Sequence, residues 1–305
     1  MARIVGERGE EGALLRVLTF TSLFPSPVRP RHGIFVKTRL QHLLRDCPVD
    51  IRVVAPVPWF PLSWPIFGSY AQFAATPRHA EGSGELLASY PRYAMLPKLG
   101  VAIQPEAMVM GAMRDVEALL ATGWKPDLID AHYFYPDGVA AAILAKRLNL
   151  PLVITARGTD VNVLARLPHP GRRIAWAAER AASVITVSSR LKDVLVSLGV
   201  EGSKIAVLRN GVDTEVFRPI DQKTARLKLD LGDGPIAACV GNLVTEKGFE
   251  LAIEVIKNLE NWRLVLVGDG PRRNELERLA RNLGVLHRVR MLATMPQSEL
   301  SVLYS

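Results

Sequence analysis

The run Val240-Gly241-Asn242-Leu243-Val244-Thr245-Glu246-Lys247-Gly248 decides how this chain is read. An apolar, strand-like segment from Pro235 to Val240 breaks at Gly241. A short polar loop carries Lys247, and a helical pattern starts near Phe249. A second strand, Arg263 to Val267, follows and stops at Gly268-Asp269-Gly270-Pro271. Two strand-to-loop-to-helix junctions in one sheet, one bearing a lysine, predict a phosphate-bearing ligand at the strand ends. Helix N-termini offer unpaired N–H groups to anions, and open α/β sheets bind ligands at the carboxyl ends of their strands.

Outward from this stretch, strand-like and helix-like runs alternate, which predicts α/β architecture with parallel sheets. Leu14 to Thr19, Ile51 to Ala55, Asp127 to Ala131, Leu152 to Thr155, Val184 to Val187 and Ile205 to Leu208 read as strands. Phe35 to Leu44, Gly138 to Leu148, Arg172 to Ala182 and Ser189 to Leu198 read as helices, the last capped by Ser188 or Ser189. Charged residues between Asp213 and Gly234 separate this region from a fresh strand at Pro235. The expected domains are therefore 13–213 and 214–305. The second holds only three strand-like runs, Ile236 to Val240, Arg263 to Val267 and Val289 to Leu292, so its sheet is expected to be incomplete.

Composition narrows the function classes. A hydrophobic share of 49% supports a large core in a 305-residue chain, so no disulfide framework is needed. Cys47 and Cys239 share no metal-like spacing and read as two buried, reduced thiols. The formal charge of +8 suits an anionic substrate or an anionic membrane surface. The basic residues are scattered and lack interleaved aromatics, which argues against nucleic acid. Apolar runs such as Val139 to Ala145 are far short of a bilayer span, and Met1 to Gly12 has no signal-peptide core. The expectation is a cytoplasmic protein, with peripheral contact at the inner face of the membrane left open. From Val57 to Tyr70, Pro58, Trp59, Phe60, Pro61, Trp64, Pro65, Phe67 and Tyr70 exclude a regular helix. Two readings stand for this loop: it touches an acceptor or membrane, or its aromatics pin it to the domain.

The motifs, in order, are Gly33; Asp130-Ala131-His132; Thr155-Ala156-Arg157-Gly158-Thr159-Asp160; Val187-Ser188-Ser189; and Asn210-Gly211-Val212-Asp213. Gly241-Asn242 with Glu246-Lys247-Gly248, and then Gly268-Asp269-Gly270-Pro271, complete the series. Together they resemble the retaining glycosyltransferases of family four, over nearly the whole chain after Leu14. The resemblance implies the GT-B fold of two Rossmann-like domains, the first on the acceptor side and the second binding the nucleotide-sugar. No Gly-x-Gly-x-x-Gly follows the first strand and no Gly-x-x-x-x-Gly-Lys is present, so neither dinucleotide nor P-loop chemistry competes.

On that resemblance, Gly33, Asn210, Gly241, Asn242, Lys247, Gly268 and Gly270 are the donor-binding candidates, and Arg157 and His132 the catalytic ones. Lys247 would neutralise the leaving diphosphate. A cation at a helix start opposes the helix dipole, so its placement needs a reason beyond local stability. Family members usually carry an arginine at position 242 and a histidine at position 157; asparagine and arginine stand there in this chain. Arg157 could meet an acidic sugar, a phosphate or an acceptor carboxylate, or pair with Asp160 as a structural salt bridge. Asn210-Gly211 reads equally as cleft lining or as a plain turn.

The resemblance further implies retention of configuration with neither metal nor cofactor, and a nucleotide-sugar donor with a glycan or lipid-linked acceptor. A role in polysaccharide or cell-envelope glycan synthesis follows. It also implies a pair of glutamates, seven residues apart, that has no match before Ser305. The chain as it stands is thus expected to transfer little or no sugar. Two alternatives remain: a nucleotide-sugar epimerase of the same fold, and a non-catalytic nucleotide- or sugar-binding module.

Overall fold

The computed structural model describes residues 14–60, 64, 66, 69–81, 86–95 and 100–305. The chain divides into two compact units, Met1–Asn210 and Gly211–Ser305. In the first, β1 (Leu15–Phe20), α1 (Ile34–Asp46), β2 (Val49–Val54), β3 (Val57–Pro58), α2 (Ser69–Ala75), β4 (His79–Glu81), β5 (Leu87–Ser89) and β6 (Arg92–Tyr93) lead to α3 (Gln104–Ala121). Then come β7 (Leu128–His132), α4 (Val139–Leu148), β8 (Leu152–Ala156), α5 (Thr159–Asn162), α6 (Pro168–Arg180), β9 (Ser183–Thr186), α7 (Ser189–Ser197) and β10 (Ile205–Val207).

These strands form one sheet in the order β10-β9-β8-β7-β1-β2-β5-β4, with β3 and β6 paired separately. Within that sheet only β4 runs antiparallel to its neighbour. Strand β1 shows why the sheet is covered on both faces. Leu18 and Phe20 enter one apolar cluster with residues of α3, α4, α6 and α7. Val17, one residue out of phase, enters another with Val36 and Leu40 of α1. Alternation of side chains along a strand makes such a run apolar throughout. Because the helices cover the faces, the polar ends of the central strands are what remains for a ligand.

The second unit comprises α8 (Gln222–Leu229), β11 (Ile236–Val240), α9 (Phe249–Lys257), β12 (Arg263–Val267), α10 (Arg273–Asn282), β13 (Val289–Leu292) and α11 (Gln297–Leu303). Its parallel sheet has the order β11-β12-β13. Leu264 and Leu266 pack with α9 and α10, whereas Val265 and Val267 pack with residues of α8 and α11.

Several expectations need correction. Cys47 is exposed, because it caps the C-terminus of α1 instead of entering the core; both cysteines are free. Asn210-Gly211 forms no turn and lies in irregular chain. The helix expected to begin at Arg172 starts at Pro168, a residue suited to a first helical turn. Helix α3 was not anticipated, although Pro105 at its start and buried Met108, Ala112 and Val116 at spacing four mark it. In the 57–70 segment Trp59 and Trp64 are 56% and 65% exposed, so these two rings do not serve as buried pins. Pro61, Pro65 and Phe67 lie outside the described residues.

Candidate active site

At the carboxyl ends of β7 and β8, two residues read from the sequence meet. His132 closes β7 and is fully buried. Arg157 follows β8, and its Nη2 donates to His132 Nδ1 at 2.8 Å. The imidazole proton therefore sits on Nε2, which lies 3.0 Å from Asp130 Oδ2, off the line of a good hydrogen bond. Burial above all pushes His132 below its ordinary pKa, with Arg157 and Arg39 acting the same way against Asp130. The ring is neutral at physiological pH. Burial would raise the Asp130 carboxyl, but the facing His132 N–H and the Arg39 and Arg157 cations hold it below its usual value.

The Arg157 guanidinium is held on three sides. Besides His132, its Nη1 donates to Asn210 Oδ1 at 3.2 Å, and its plane lies over the Phe35 ring, 4.8 Å from the centroid. Its Nε is buried with no partner among the described residues. Burial first, then Arg39, lower it to about 10, so it remains a cation at neutral pH. A fixed cation with a spare donor is a natural anchor for an electron-rich oxygen.

Asp160 does not pair with this guanidinium. Its carboxylate accepts backbone N–H groups instead: Phe134 at 2.8 Å, Gly158 at 2.7 Å and Arg157 at 3.1 Å. The salt-bridge reading of Asp160 is thus replaced by a backbone clasp that shapes the loop after β8. Tyr133, at φ 82, is a second sign of a constrained backbone here. Its N–H donates to Thr155 O at 2.9 Å and its carbonyl accepts from Gly138 N at 2.8 Å. Strain of this kind persists where surrounding bonds over-determine it.

Asp137, absent from the sequence reading, is fully buried beside this cluster. It accepts from the backbone N–H of Ser22, and from Ser22 Oγ at 3.2 Å, which joins the loop after β1 to the start of α4. The only sequence signal was a carboxylate just ahead of an alanine-rich helix; its partner lies 115 residues away. Burial pushes its pKa up to about 7 from the ordinary 3.8. Between those values the folded protein keeps a proton that the unfolded chain has released. Stability is therefore expected to fall as pH rises through that window and to level off above it. Asp137→Asn, which keeps an acceptor for the Ser22 N–H, is expected to flatten the slope. It should also stabilise the fold by about 2–4 kcal/mol near pH 8. Urea denaturation on either side of the window checks this; an unchanged slope would assign the dependence elsewhere.

Gly33 caps α1 at φ 65, and a Cβ there would lie 2.1 Å from Leu23 O. The glycine lets the loop after β1 fold back against the start of α1. Thr21 Oγ1 donates to His132 O at 3.0 Å, so this loop is bonded directly to the end of β7.

In the second unit, Gly241, Asn242, Lys247, Gly268 and Gly270 come together at the ends of β11 and β12. Much of the glycine pattern has a packing cause. A Cβ on Gly268 would lie 1.9 Å from Gly241 O, and one on Gly270 would lie 2.5 Å from Leu243 O. The two loops lie backbone against backbone, with Leu243 N donating to Asp269 O at 2.9 Å. Lys247 is different. Its side-chain stem runs beside Gly241, with Cε 3.8 Å from where a Cβ would stand. The residue is exposed, and among the described residues its ammonium has no protein partner. Asn242 is exposed as well. The neighbouring arginines are committed: Arg272 pairs with Glu250 at 2.8 Å and Glu275 at 2.6 Å, and Arg273 donates to Gly268 O and Met291 O.

Two units, each built on a largely parallel α/β sheet, match the GT-B class. The solved structures agree on the fold. HepE from Anabaena, crystallised with UDP, superposes with a TM-score of 0.62 at 16% identity, over 95% of this chain and 71% of that one. Sucrose-phosphate synthase from Thermosynechococcus elongatus gives a TM-score of 0.70 at 16% identity, over 96% and 73%. The family description Glycosyltransferase Family 4 matches residues 79–216, and Glycosyl transferases group 1 matches residues 221–305. A putative teichuronic acid biosynthesis glycosyltransferase, TuaC of Bacillus subtilis, is 31% identical over 274 residues, covering 86% of this chain and 67% of that protein. D-inositol 3-phosphate glycosyltransferase of Acidothermus cellulolyticus is 31% identical over 232 residues, covering 68% and 51%. The chain belongs to the family 4, group 1 glycosyltransferases. It spans between half and two thirds of the length of these two curated relatives.

Proposed function

We propose that this chain takes part in retaining transfer of a sugar from a nucleotide-sugar to a glycan or lipid-linked acceptor, in polysaccharide or cell-envelope glycan synthesis. The observation that carries the reading is Lys247: an exposed ammonium with no protein partner among the described residues, at a strand-end junction whose backbone is closed by Gly241 and Gly268. Departure of the nucleoside diphosphate builds negative charge on its phosphates, and a cation placed in advance lowers that barrier without reorganising. Gly241, Asn242, Gly268 and Gly270 let the donor approach the backbone of the second unit, and Gly33 and Asn210 are the donor-binding candidates of the first unit. In the first unit, Arg157 touches the reacting sugar or acceptor through the accessible part of its half-buried guanidinium, and His132 positions it. No metal or cofactor enters this scheme.

No helix among the described residues is long and apolar enough to cross a membrane. Trp59, Trp64 and Ile66, at 56%, 65% and 85% exposure, support peripheral contact of the 57–70 loop with the inner face of a membrane from the cytoplasmic side.

Two variants test the scheme. Lys247→Ala is expected to weaken nucleoside diphosphate binding, read by calorimetry, by about 10–100-fold, the worth of one charge-assisted contact. Arg157→Met is expected to leave that binding within about threefold while lowering the residual sugar transfer of the parent chain by about a hundredfold or more. Unchanged affinity in Lys247→Ala would remove the central support. Binding without turnover would point to a nucleotide-binding module.

A further inference from the structure

Behind the loop after β1 lies a cavity of ≈ 240 Å³ that the scheme above does not use. It opens where β1, β2 and β5 end: Ser22, Ala55 and Tyr90 are among its walls. Thr21 and Ser22 tie this wall to His132 O and to Asp137, so the cavity is built into the same framework as the Arg157 cluster. We propose that this cavity is an acceptor subsite and that it selects a sugar unit carrying an anionic group, a carboxylate or a phosphate. The assignment rests on the glycosyltransferase reading.

Three features of the walls argue for it. The rings of Phe73, Tyr90 and Tyr93, with Val57 and Met95, supply apolar faces against which the C–H face of a sugar can lie. Ser26, Thr76 and Gln104 supply polar groups for hydroxyls, and Gln104 Nε2 is fixed by donating to Tyr93 Oη at 2.9 Å. The volume is below the roughly 300–1,000 Å³ of sites for drug-sized ligands, which suits one sugar unit.

The charge comes from Arg29. Its guanidinium is half-buried, lies 4.9 Å from the Phe73 centroid, and spends Nη2 on the ring of His32 at 3.0 Å. That ring in turn donates Nε2–H to Ser22 O at 3.1 Å, so Nδ1 is the acceptor and the imidazole is neutral. Burial and the adjacent Arg29 hold His32 down at about 4, in keeping with this tautomer. Among the described residues Arg29 has no acidic partner, and no Asp or Glu lines the cavity. A cation taken partly out of water without a counterion is unfavourable in the empty site, and an anionic ligand would offset that.

Ligand-observed NMR titration of the whole chain, with no donor present, tests the assignment apart from any transfer. The probes are methyl β-D-glucuronide, glucose 6-phosphate and methyl β-D-glucoside. At least one anionic sugar is expected to bind about tenfold or more tightly than the neutral glucoside, and the better of the two identifies carboxylate or phosphate. Arg29→Gln, shown folded by its melting temperature, is expected to erase that preference, and Arg29→Lys to keep part of it. Should Arg29→Gln fail to fold, salt decides: the anionic probe must weaken as ionic strength rises while the glucoside does not. Equal binding of charged and neutral sugars would overturn the proposal. So would inorganic phosphate binding as tightly as either anionic sugar, since the rings would then contribute nothing. Failure of these titrations leaves the Lys247 and Arg157 tests standing, and success does not depend on them.

Discussion

Gly268→Ala is expected to lower the unfolding free energy by about 3–5 kcal/mol, the sum of a backbone forced where side chains rarely go and an overpacked contact. The residue sits at φ +150, and the added methyl would stand 1.9 Å from Gly241 O. The obstacle is backbone, so no side-chain rotation can relieve it. The loop after β11 would have to move away from the loop after β12, breaking the Leu243-to-Asp269 hydrogen bond as it went. A typical domain has only about 5–15 kcal/mol of stability, so the variant should lose a large part of it. Gly202→Ala is the control: its nearest neighbour would be 3.6 Å away, and its φ is not in the positive range. Urea denaturation of both variants beside the parent measures the difference. Midpoints that coincide for all three would mean that the loops separate at little cost.

Asp160→Ala is expected to cost about 2–4 kcal/mol, because it orphans the N–H groups of Phe134, Arg157 and Gly158. Part of that loss is offset. Burial raises the Asp160 carboxyl above its ordinary value, so the native state already bears a cost for keeping it charged, and alanine removes that cost. The functional effect should exceed the loss of stability. The loop that carries Arg157 would lose its shape, and the guanidinium would no longer meet His132 and Asn210 together. Transfer should therefore fall by about a hundredfold even below the melting temperature, as it does when a reacting group is displaced by roughly an ångström. Activity that tracks the folded fraction would show that the clasp is structural only. Asp160→Asn should fall between the two, since its amide turns a donor toward one of the three N–H groups.

Much of the fold was legible in the sequence because both sheets are almost wholly parallel and their central strands are covered on each face, which makes those strands largely apolar runs. The strands of the second sheet can be read to the residue for this reason. Strands β4 and β5 could not be read: three residues each, His79–Glu81 and Leu87–Ser89, show neither period nor length. Helix α3 carries its signal in apolar Met108, Ala112 and Val116 at a spacing of four, with no side-chain cap to mark its start. The candidate site was legible only as residue types at strand ends; His132, Arg157 and Asn210 form one hydrogen-bonded group. What lay out of reach was the partner of each carboxylate. Asp160 is three residues from Arg157 in sequence yet bonds to its backbone, and Asp137 acts on a loop on the far side of the chain. Local spacing proposes an ion pair in the first case and says nothing in the second.

The contact between the two loops of the second unit bears on how such sequences are compared. A descendant that had abandoned nucleotides would still have to keep residues 268 and 270 without side chains, because architecture alone enforces them. Residue 247, exposed and with no partner among the described residues, could drift once the proposed diphosphate contact was given up. Persistence of the glycine pair across homologues is thus a marker of shape, and persistence of the lysine a marker of use.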